Sequence, residues 1–203
     1  MQDIPALPPS PPAAVAHVKE QDAQKLMIRE LNVATLTAVV AADEAAYVAR
    51  QAATSAARVY SSGMMGGRSK EFVALDKAVS TELERSDVAA RVSNTSAIEA
   101  ARAARFSMPS MPLNVAKLVN RSAIAAVIAS DNATSAVRAA LELDTSISEY
   151  ALNIAYDAKS AADKAKSAAA RIELLSTAIE ESAVAADIEK MLIELREASI
   201  YRT

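Results

Sequence analysis

The chain has no cysteine and no tryptophan, and its 203 residues include only one histidine, three glycines, five tyrosines and two phenylalanines. Without cysteine, disulfides and thiolate-ligated metal sites are excluded. The single histidine, His17, cannot anchor a metal centre of the ordinary type. So few rings also leave little material to line a ligand pocket. We therefore predict no catalytic, cofactor-binding or metal site, and a protein that is not an enzyme and is unlikely to bind a small molecule.

Glycine and proline occur in only three short stretches, residues 5–12, 63–67 and 109–112. These two residues are the strongest helix breakers, so the stretches between them predict long helices. Alanine, the best helix former, supplies 48 residues. The fold class predicted is all-α: an elongated antiparallel bundle of three to four long, alanine-rich helices with coiled-coil-like packing.

The charges are nearly balanced, with 25 acidic and 22 basic residues that are interspersed and give a net charge of −3. This pattern predicts no nucleic-acid partner, because it forms no basic surface. The N-terminal residues lack the basic and apolar regions of a secretory signal, so we expect an intracellular, cytoplasmic protein. The longest uncharged helical run, residues 31–42, is shorter than the roughly 20 residues that cross a membrane, so no transmembrane segment is predicted.

The breakers divide the chain into a proline-rich extended arm, residues 1–12, and a bundle, residues 13–203. The helices are predicted at about 13–61, 68–107, 113–143 and 146–201. No breaker separates the last two, which leaves two interpretations: one long rod beside a two-helix hairpin, or four helices. Ser146 and Glu149 have the spacing of a capping box, so we favour a break at residues 144–146. Polar residues at 93–96 and 130–132 mark two weaker candidate breaks.

Apolar residues of the first helix form two neighbouring stripes. Spacings of four and three predict a buried seam: Met27, Leu31, Ala34, Ala38, Ala41, Ala45, Val48, Ala52 and Val59. A second stripe has a spacing of seven: Leu26, Val33, Val40 and Tyr47. Together the two stripes make a face wide enough for more than one partner helix.

The last helix carries the longest repeat, with eight apolar residues spaced seven apart. They are Ala151, Ala158, Ala165, Ile172, Ile179, Ala186, Ile193 and Ile200. A repeat sustained over this length is typical of coiled-coil packing. Similarly, the second helix is predicted to have one seam-forming side that runs from Phe72 to Ala104, with Ser86 and Ser93 included.

Two patterns that could suggest a binding or catalytic site are better explained by structure alone. Residues 63–70 superficially resemble a phosphate-binding loop, but they lack its order of glycine and lysine and follow a helix, so we interpret them as a turn. The acid pairs Asp43–Glu44 and Glu180–Glu181 point about 100° apart on a helix and are predicted to be solvated.

Ten apolar positions in the arm, the first helix and the last helix define a candidate interaction surface. Its members are Ile4 and Leu7 in the arm, Leu26, Val33, Val40 and Tyr47 in the first helix, and Ile172, Ile179, Ile193 and Ile200 in the last. We predict a structural or scaffold protein that packs its helices into a larger protein assembly or a homo-oligomer. The alternative is a coat for an apolar surface, because alanine-rich, cysteine-free helical chains of this size are similar in composition to phasins, which cover storage granules.

Overall fold

The described residues form a bundle of four helices. The computed structural model describes residues 12–63, 70–106, 112–143 and 149–200, with the side chains of 22–61, 77–105, 112–139 and 149–191 apart from 186, 189 and 190. The helices are α1 (Pro12–Gly63), α2 (Lys70–Phe106), α3 (Pro112–Leu143) and α4 (Glu149–Ile200). The predicted all-α fold is confirmed. Of the predicted arm, only Pro12 lies within the described residues.

All helix ends lie within three residues of the predicted positions, and those from the start of α1 to the start of α3 lie at or near the breakers. Two helices begin at a proline, Pro12 and Pro112, where the missing N–H costs nothing. α1 ends at Gly63, a residue that readily leaves the helical conformation. The long stretch without breakers is divided, because α3 ends at Leu143 and α4 begins at Glu149. This confirms the four-helix interpretation; the proposed capping residue Ser146 lies outside the described residues.

Each of α1 and α3 contacts all the other helices, whereas α2 and α4 do not touch within the described residues. The bundle therefore has a rhombic cross-section with α1 and α3 on its short diagonal. Hydrogen bonds fix the direction of neighbours: Ser93 lies opposite Ser122 and Ser86 opposite Ala129, so α2 and α3 are antiparallel.

Alanine makes up most of the core. Of the 35 buried apolar residues in the described part of the chain, 28 are alanine. The others are Leu31, Val59, Val79, Val115, Val119, Val137 and Ile172. Because alanine ends at Cβ, the helices can approach at the short end of the usual 8–10 Å range and make many small contacts.

Buried serines connect the helices through their backbones. The Ser93 hydroxyl donates to the Ser122 carbonyl at 2.9 Å, and the Ser122 hydroxyl donates back to the Ser93 carbonyl at 2.8 Å. Ser86 donates to the Ala129 carbonyl at 2.9 Å, and Ser130 donates to the carbonyl of Ala155.

These bonds explain why the two weaker candidate breaks were wrong. α2 runs without interruption through residues 93–96, and α3 through residues 130–132. A serine that donates to a neighbouring helix does not compete with its own backbone hydrogen bonds, which is the usual way serine ends a helix.

The two ends of the bundle differ. At one end all four helices contribute to a common cluster that includes Val59, Val79, Val137 and Ala151. At the other, the core ends near Leu31 on α1 and Ser176 on α4, at the level of the last turns of α2 and the first turns of α3. α1 and α4 have 52 residues each, against 37 and 32 for α2 and α3. We call residues 12–30 of α1 and 177–200 of α4 the two-helix extension, and the remainder the four-helix section.

Candidate interaction surface

A line of large apolar side chains is exposed along α1. Leu26, Val33, Val40 and Tyr47 are between 58% and 66% exposed, and Leu36, at 54%, lies between two of them. We call these five residues the α1 stripe. Seven residues make almost two helical turns, so the members share one side of the helix. The stripe predicted from the sequence is thus on the surface of the bundle.

The opposite side of α1 shows why this stripe is left uncovered. Ala38, Ala42, Ala45 and Ala49 are completely buried against the other three helices. With its small residues packed inward, α1 has no neighbour left for its large ones. The larger apolar area of this helix therefore faces outward.

Polar groups lie beside the α1 stripe and also between some of its members. Asp43 and Glu44 are exposed beside it, as predicted for a solvated acid pair. At its end, Gln51 Nε2 donates a 2.8 Å hydrogen bond to the Tyr47 hydroxyl, which lays the ring along the helix. An apolar line with a polar border is the composition typical of a protein interface.

A groove of about 520 Å³ lies between α1 and α4 at the beginning of the stripe. Its apolar lining is Leu26, Val33, Ala34 and Ala168, and its polar lining is Arg29, Glu30, Thr37, Ser167 and Arg171. This mixture suits the apolar ridge of a helix, with charged groups at the edges. It holds no arrangement of nucleophile, base and acid that would indicate catalysis.

The structure places the other predicted surface residues differently. Ile172 is fully buried, so it belongs to the core and its assignment to a surface was wrong. It belongs to the core cluster to which all four helices contribute, and α1 and α3 are the helices that contact α4. Ile179 is half-buried against the same core. The side chains of Ile4, Leu7, Ile193 and Ile200 lie outside the described residues.

Several exposed apolar residues of α4 were not identified from the sequence, and three of them form one face near its end. Val184, Ile188 and Met191 are each about half exposed and follow the spacing i, i+4, i+7. That spacing is the ordinary signal of a helix face and could have revealed them. The sequence analysis counted a repeat of seven from Ala151, and this repeat includes none of the three. In the same way, the repeat of seven counted from Leu26 does not include Leu36.

An exposed ion pair joins α3 to α4. Lys159 Nζ lies 3.0 Å from Asp131 Oδ1, and this hydrogen bond, followed by the charge of Asp131, raises the pKa of Lys159. Nearby, Arg138 Nη2 donates to the Tyr156 hydroxyl at 3.1 Å. These contacts hold the two helices side by side at the surface and form no reactive site.

The other sequence patterns considered as binding or catalytic sites are a metal site, the second acid pair, His17 and the loop at residues 63–70. Among the side chains that the structure describes, no group of three histidines or acids could hold a metal ion. Glu180 and Glu181 are exposed, as predicted. The side chain of His17 and residues 64–69 lie outside the described part of the chain.

One segment, Asp22–Ser61 of α1, is long and apolar enough by length and composition to cross a membrane. The sequence analysis searched for a long run without charged residues. It did not select this segment, because charged residues occur within the segment. In the structure this segment belongs to a helix that packs against all three others, and a core helix of a soluble protein passes the same test of length and hydropathy.

Comparison of the chain with protein-family models, with curated proteins and with solved structures gave no match.

Proposed function

We propose that this is a non-enzymatic structural protein that packs its helices into a larger protein assembly. The observation that carries the proposal is the α1 stripe: large apolar side chains, more than half exposed, on a helix whose other side is fully buried. A stripe spaced by sevens fits an apolar helix of another subunit, which would lie along α1 and fill the groove at Leu26.

The size of the stripe supports a binding role. From Leu26 to Tyr47 it extends over about 32 Å at 1.5 Å per residue. Burying one large apolar side chain contributes about 1.5–3 kcal/mol, so five together supply enough free energy for a stable contact after the cost of association. In the described residues, 18 large apolar side chains are exposed while seven are buried.

A coat for an apolar surface, such as a lipid droplet or polymer granule, is the second candidate. It is favoured by the distribution of the exposed apolar side chains, which occur on every helix and not on α1 alone. On the other helices they are Val88, Val92, Ile98, Leu113, Ile124, Ile128, Tyr150, Tyr156, Leu174, Val184, Ile188 and Met191. A coat requires helices that expose apolar faces in solution.

The test is a tagged full-length chain with Val33→Asp and Val40→Asp, expressed in its source cells and compared with the unmodified chain. Lysates are separated by size-exclusion chromatography and by flotation. The unmodified chain should elute in a species much heavier than the purified protein, and the double variant should elute with the mass of the purified protein. Val88→Asp is the matched control, since Val88 is similarly exposed but lies on α2.

The alternatives give different results. Elution of the unmodified chain at the mass of the purified protein would contradict the assembly role. Flotation of the chain with lipid or granules, weakened equally by the α1 and α2 variants, would favour the coat instead.

A further inference from the structure

We infer that copies of this chain join head to tail, with the α1 stripe of one copy packed antiparallel against the outer side of α3 in the next. The inference rests on the proposed function, because it names another copy as the neighbour that the stripe meets inside the assembly. It adds a second interaction surface, which consists of Lys117, Arg121, Ile124 and Ile128 and which we call the α3 face.

The α3 face carries apolar and basic side chains that are exposed together. Ile124 and Ile128 are 45% and 48% exposed, and the two basic side chains are exposed as well. The four residues are spaced by four, three and four, so they fall within about 60° of one another around the helix. Lys117 and Arg121 are the only charged residues of α3 before Asp131. The charge of this part of α3 is therefore entirely basic.

The central part of the α1 stripe has the opposite charge. In residues 31–49 of α1 the only charged residues are Asp43 and Glu44, and both are exposed. None of these two acids and the two bases of the α3 face takes part in an ion pair with another described residue. The side chains along this part of α1 also have the spacing four, three and four: Leu36, Val40, Asp43 and Tyr47.

The chemistry of the two surfaces selects an antiparallel contact. The spacing four, three, four is the same in both directions, so it fits either orientation. In the antiparallel one, apolar residues meet apolar residues and the acid meets a base; the opposed pairs are Leu36 with Ile128, Val40 with Ile124, Asp43 with Arg121, and Tyr47 with Lys117. In the parallel one, Leu36 faces Lys117 and Asp43 faces Ile124, which buries charges against apolar groups at a cost in free energy.

The charges at the ends of this contact are less complementary than those at its centre. Arg29 and Asp131 are opposite in sign and come about one turn apart, but Asp131 already pairs with Lys159. At the other end, Arg50 and Lys117 have the same sign and lie near each other. The two acids and two bases at the centre therefore decide the orientation.

The two surfaces lie on opposite sides of the bundle, which makes the association open-ended. α1 and α3 contact each other through their buried sides, so the stripe and the α3 face point away from one another. They also lie at the same height, because the buried part of α1 begins at Leu31 and that of α3 at Val115, and Val59 and Val137 share the cluster at the other end. A copy that uses one surface still has the other free, so a row of copies forms and no closed pair.

Each contact in such a row is small, because it joins one helix from each copy. It is about 30 Å long and about 10 Å wide. Two copies thus bury roughly 600 Å² together, against about 1,000 Å² for a stable pair. We therefore expect single chains in dilute solution, and rows in concentrated solution or where other subunits of the assembly hold the copies together.

The first test uses the absence of cysteine from the full-length chain. Val40→Cys and Ile124→Cys are combined in one chain, and the purified protein is oxidised at high concentration. A ladder of covalent dimers, trimers and longer species is expected, because each molecule carries one half of the opposed pair on each of two opposite sides. Val40→Cys with Val88→Cys is the matched control and should give no ladder, since Val88 is 54% exposed but lies on α2.

The second test exchanges the charges and measures association by sedimentation equilibrium. Asp43→Lys with Glu44→Lys should weaken the association about tenfold, and so should Lys117→Glu with Arg121→Glu. All four changes in one chain should restore the association, because the acids and bases have then changed places. Helical circular dichroism should be unchanged in the three variants, since the four side chains are exposed.

Three results would overturn the row: no ladder from Val40→Cys with Ile124→Cys, an equal ladder from its control, or a fourfold charge variant that associates no better than the two double variants. The lysate experiment separates the row from the proposed function. If Lys117→Glu with Arg121→Glu still enters the heavy species while Val33→Asp with Val40→Asp does not, the row is refuted and the proposed function stands with a different protein on the stripe.

Discussion

The four-helix section and the two-helix extension differ in the size and the burial of their apolar side chains. In the four-helix section the buried residues are mostly alanine and serine, because every helix has neighbours on at least two sides and the contacts of small residues accumulate. In the extension each helix has one neighbour, and most of its described large apolar side chains remain exposed. The difference shows that alanine can build a core only where enough helices surround it.

The apolar repeat of α4 changes composition between the two regions. Ala151, Ala158 and Ala165 lie inside the four-helix section and are fully buried or nearly so. Ile172 lies at its end, and Ile179 follows in the extension, half-buried. Isoleucine contributes more apolar area per residue, which compensates for fewer neighbours.

The largest effect should come from the same substitution made in both regions. Ala162→Leu inserts a larger side chain into a completely buried position and should lower the free energy of unfolding by about 1–3 kcal/mol. Ala183→Leu in the extension should be close to neutral, because Ala183 is only half-buried. Urea unfolding at one fixed protein concentration measures both. Equal destabilisation would mean that the extension is packed as tightly as the rest.

Replacing a buried serine by alanine should change stability by a smaller amount. The change should be a loss for Ser93 inside the four-helix section and a gain for Ser176 at the boundary between the regions. Ser93→Ala removes a buried hydrogen bond to α3 and should cost about 1 kcal/mol. The Ser176 hydroxyl is buried and has no partner among the described residues, so Ser176→Ala should stabilise the protein by about 1 kcal/mol or less. Thermal unfolding gives both values.

Exposed Ser135→Ala serves as the control for the serine variants and should change little. If Ser176→Ala destabilised the protein, the Ser176 hydroxyl would have to form a hydrogen bond. The last buried turn of α4 would then not differ in this respect from the rest of the core.

The smallest effect is expected at the surface of the four-helix section. The Asp131 hydrogen bond raises the pKa of Lys159, so the charged lysine is favoured by folding. Its contribution is fully present below the ordinary lysine pKa of about 10.4 and is lost as the pH rises through the raised value. Asp131→Asn should return the Lys159 pKa towards its ordinary value in an NMR titration.

Because the Lys159–Asp131 pair is exposed, its removal should barely change stability near neutral pH, and less still in high salt. A Lys159 pKa that stayed raised in the variant would point to Asp163 or Tyr156 as the main cause.

Much of the fold could be predicted because helix breakers and small residues act locally. Pro12, Gly63 and Pro112 stand at helix ends, and the side of α2 from Val79 to Ala104 is buried or half-buried as its spacing indicated. The buried serines were placed on the correct side, but their hydrogen bonds to other helices were not foreseen. Those bonds depend on how closely two helices approach, which no single segment contains.

The candidate surface was predictable only in part. Leu26, Val33, Val40 and Tyr47 were recognised by their spacing, while Ile172 was placed on the surface for the same reason and is buried. Spacing shows which residues share one side of a helix. It does not show how many neighbours that side has, because the number depends on where the other helices end.

The sequence by itself determined that the helices are long, which of their ends stand at glycine or proline, and which residues share one side of a helix, since these follow from backbone preferences and from 3.6 residues per turn. The tertiary structure alone decided which stripe of α1 faces water and where the core stops on α4. Both depend on the lengths and positions of α2 and α3, which cover one part of the long pair and leave the other part open.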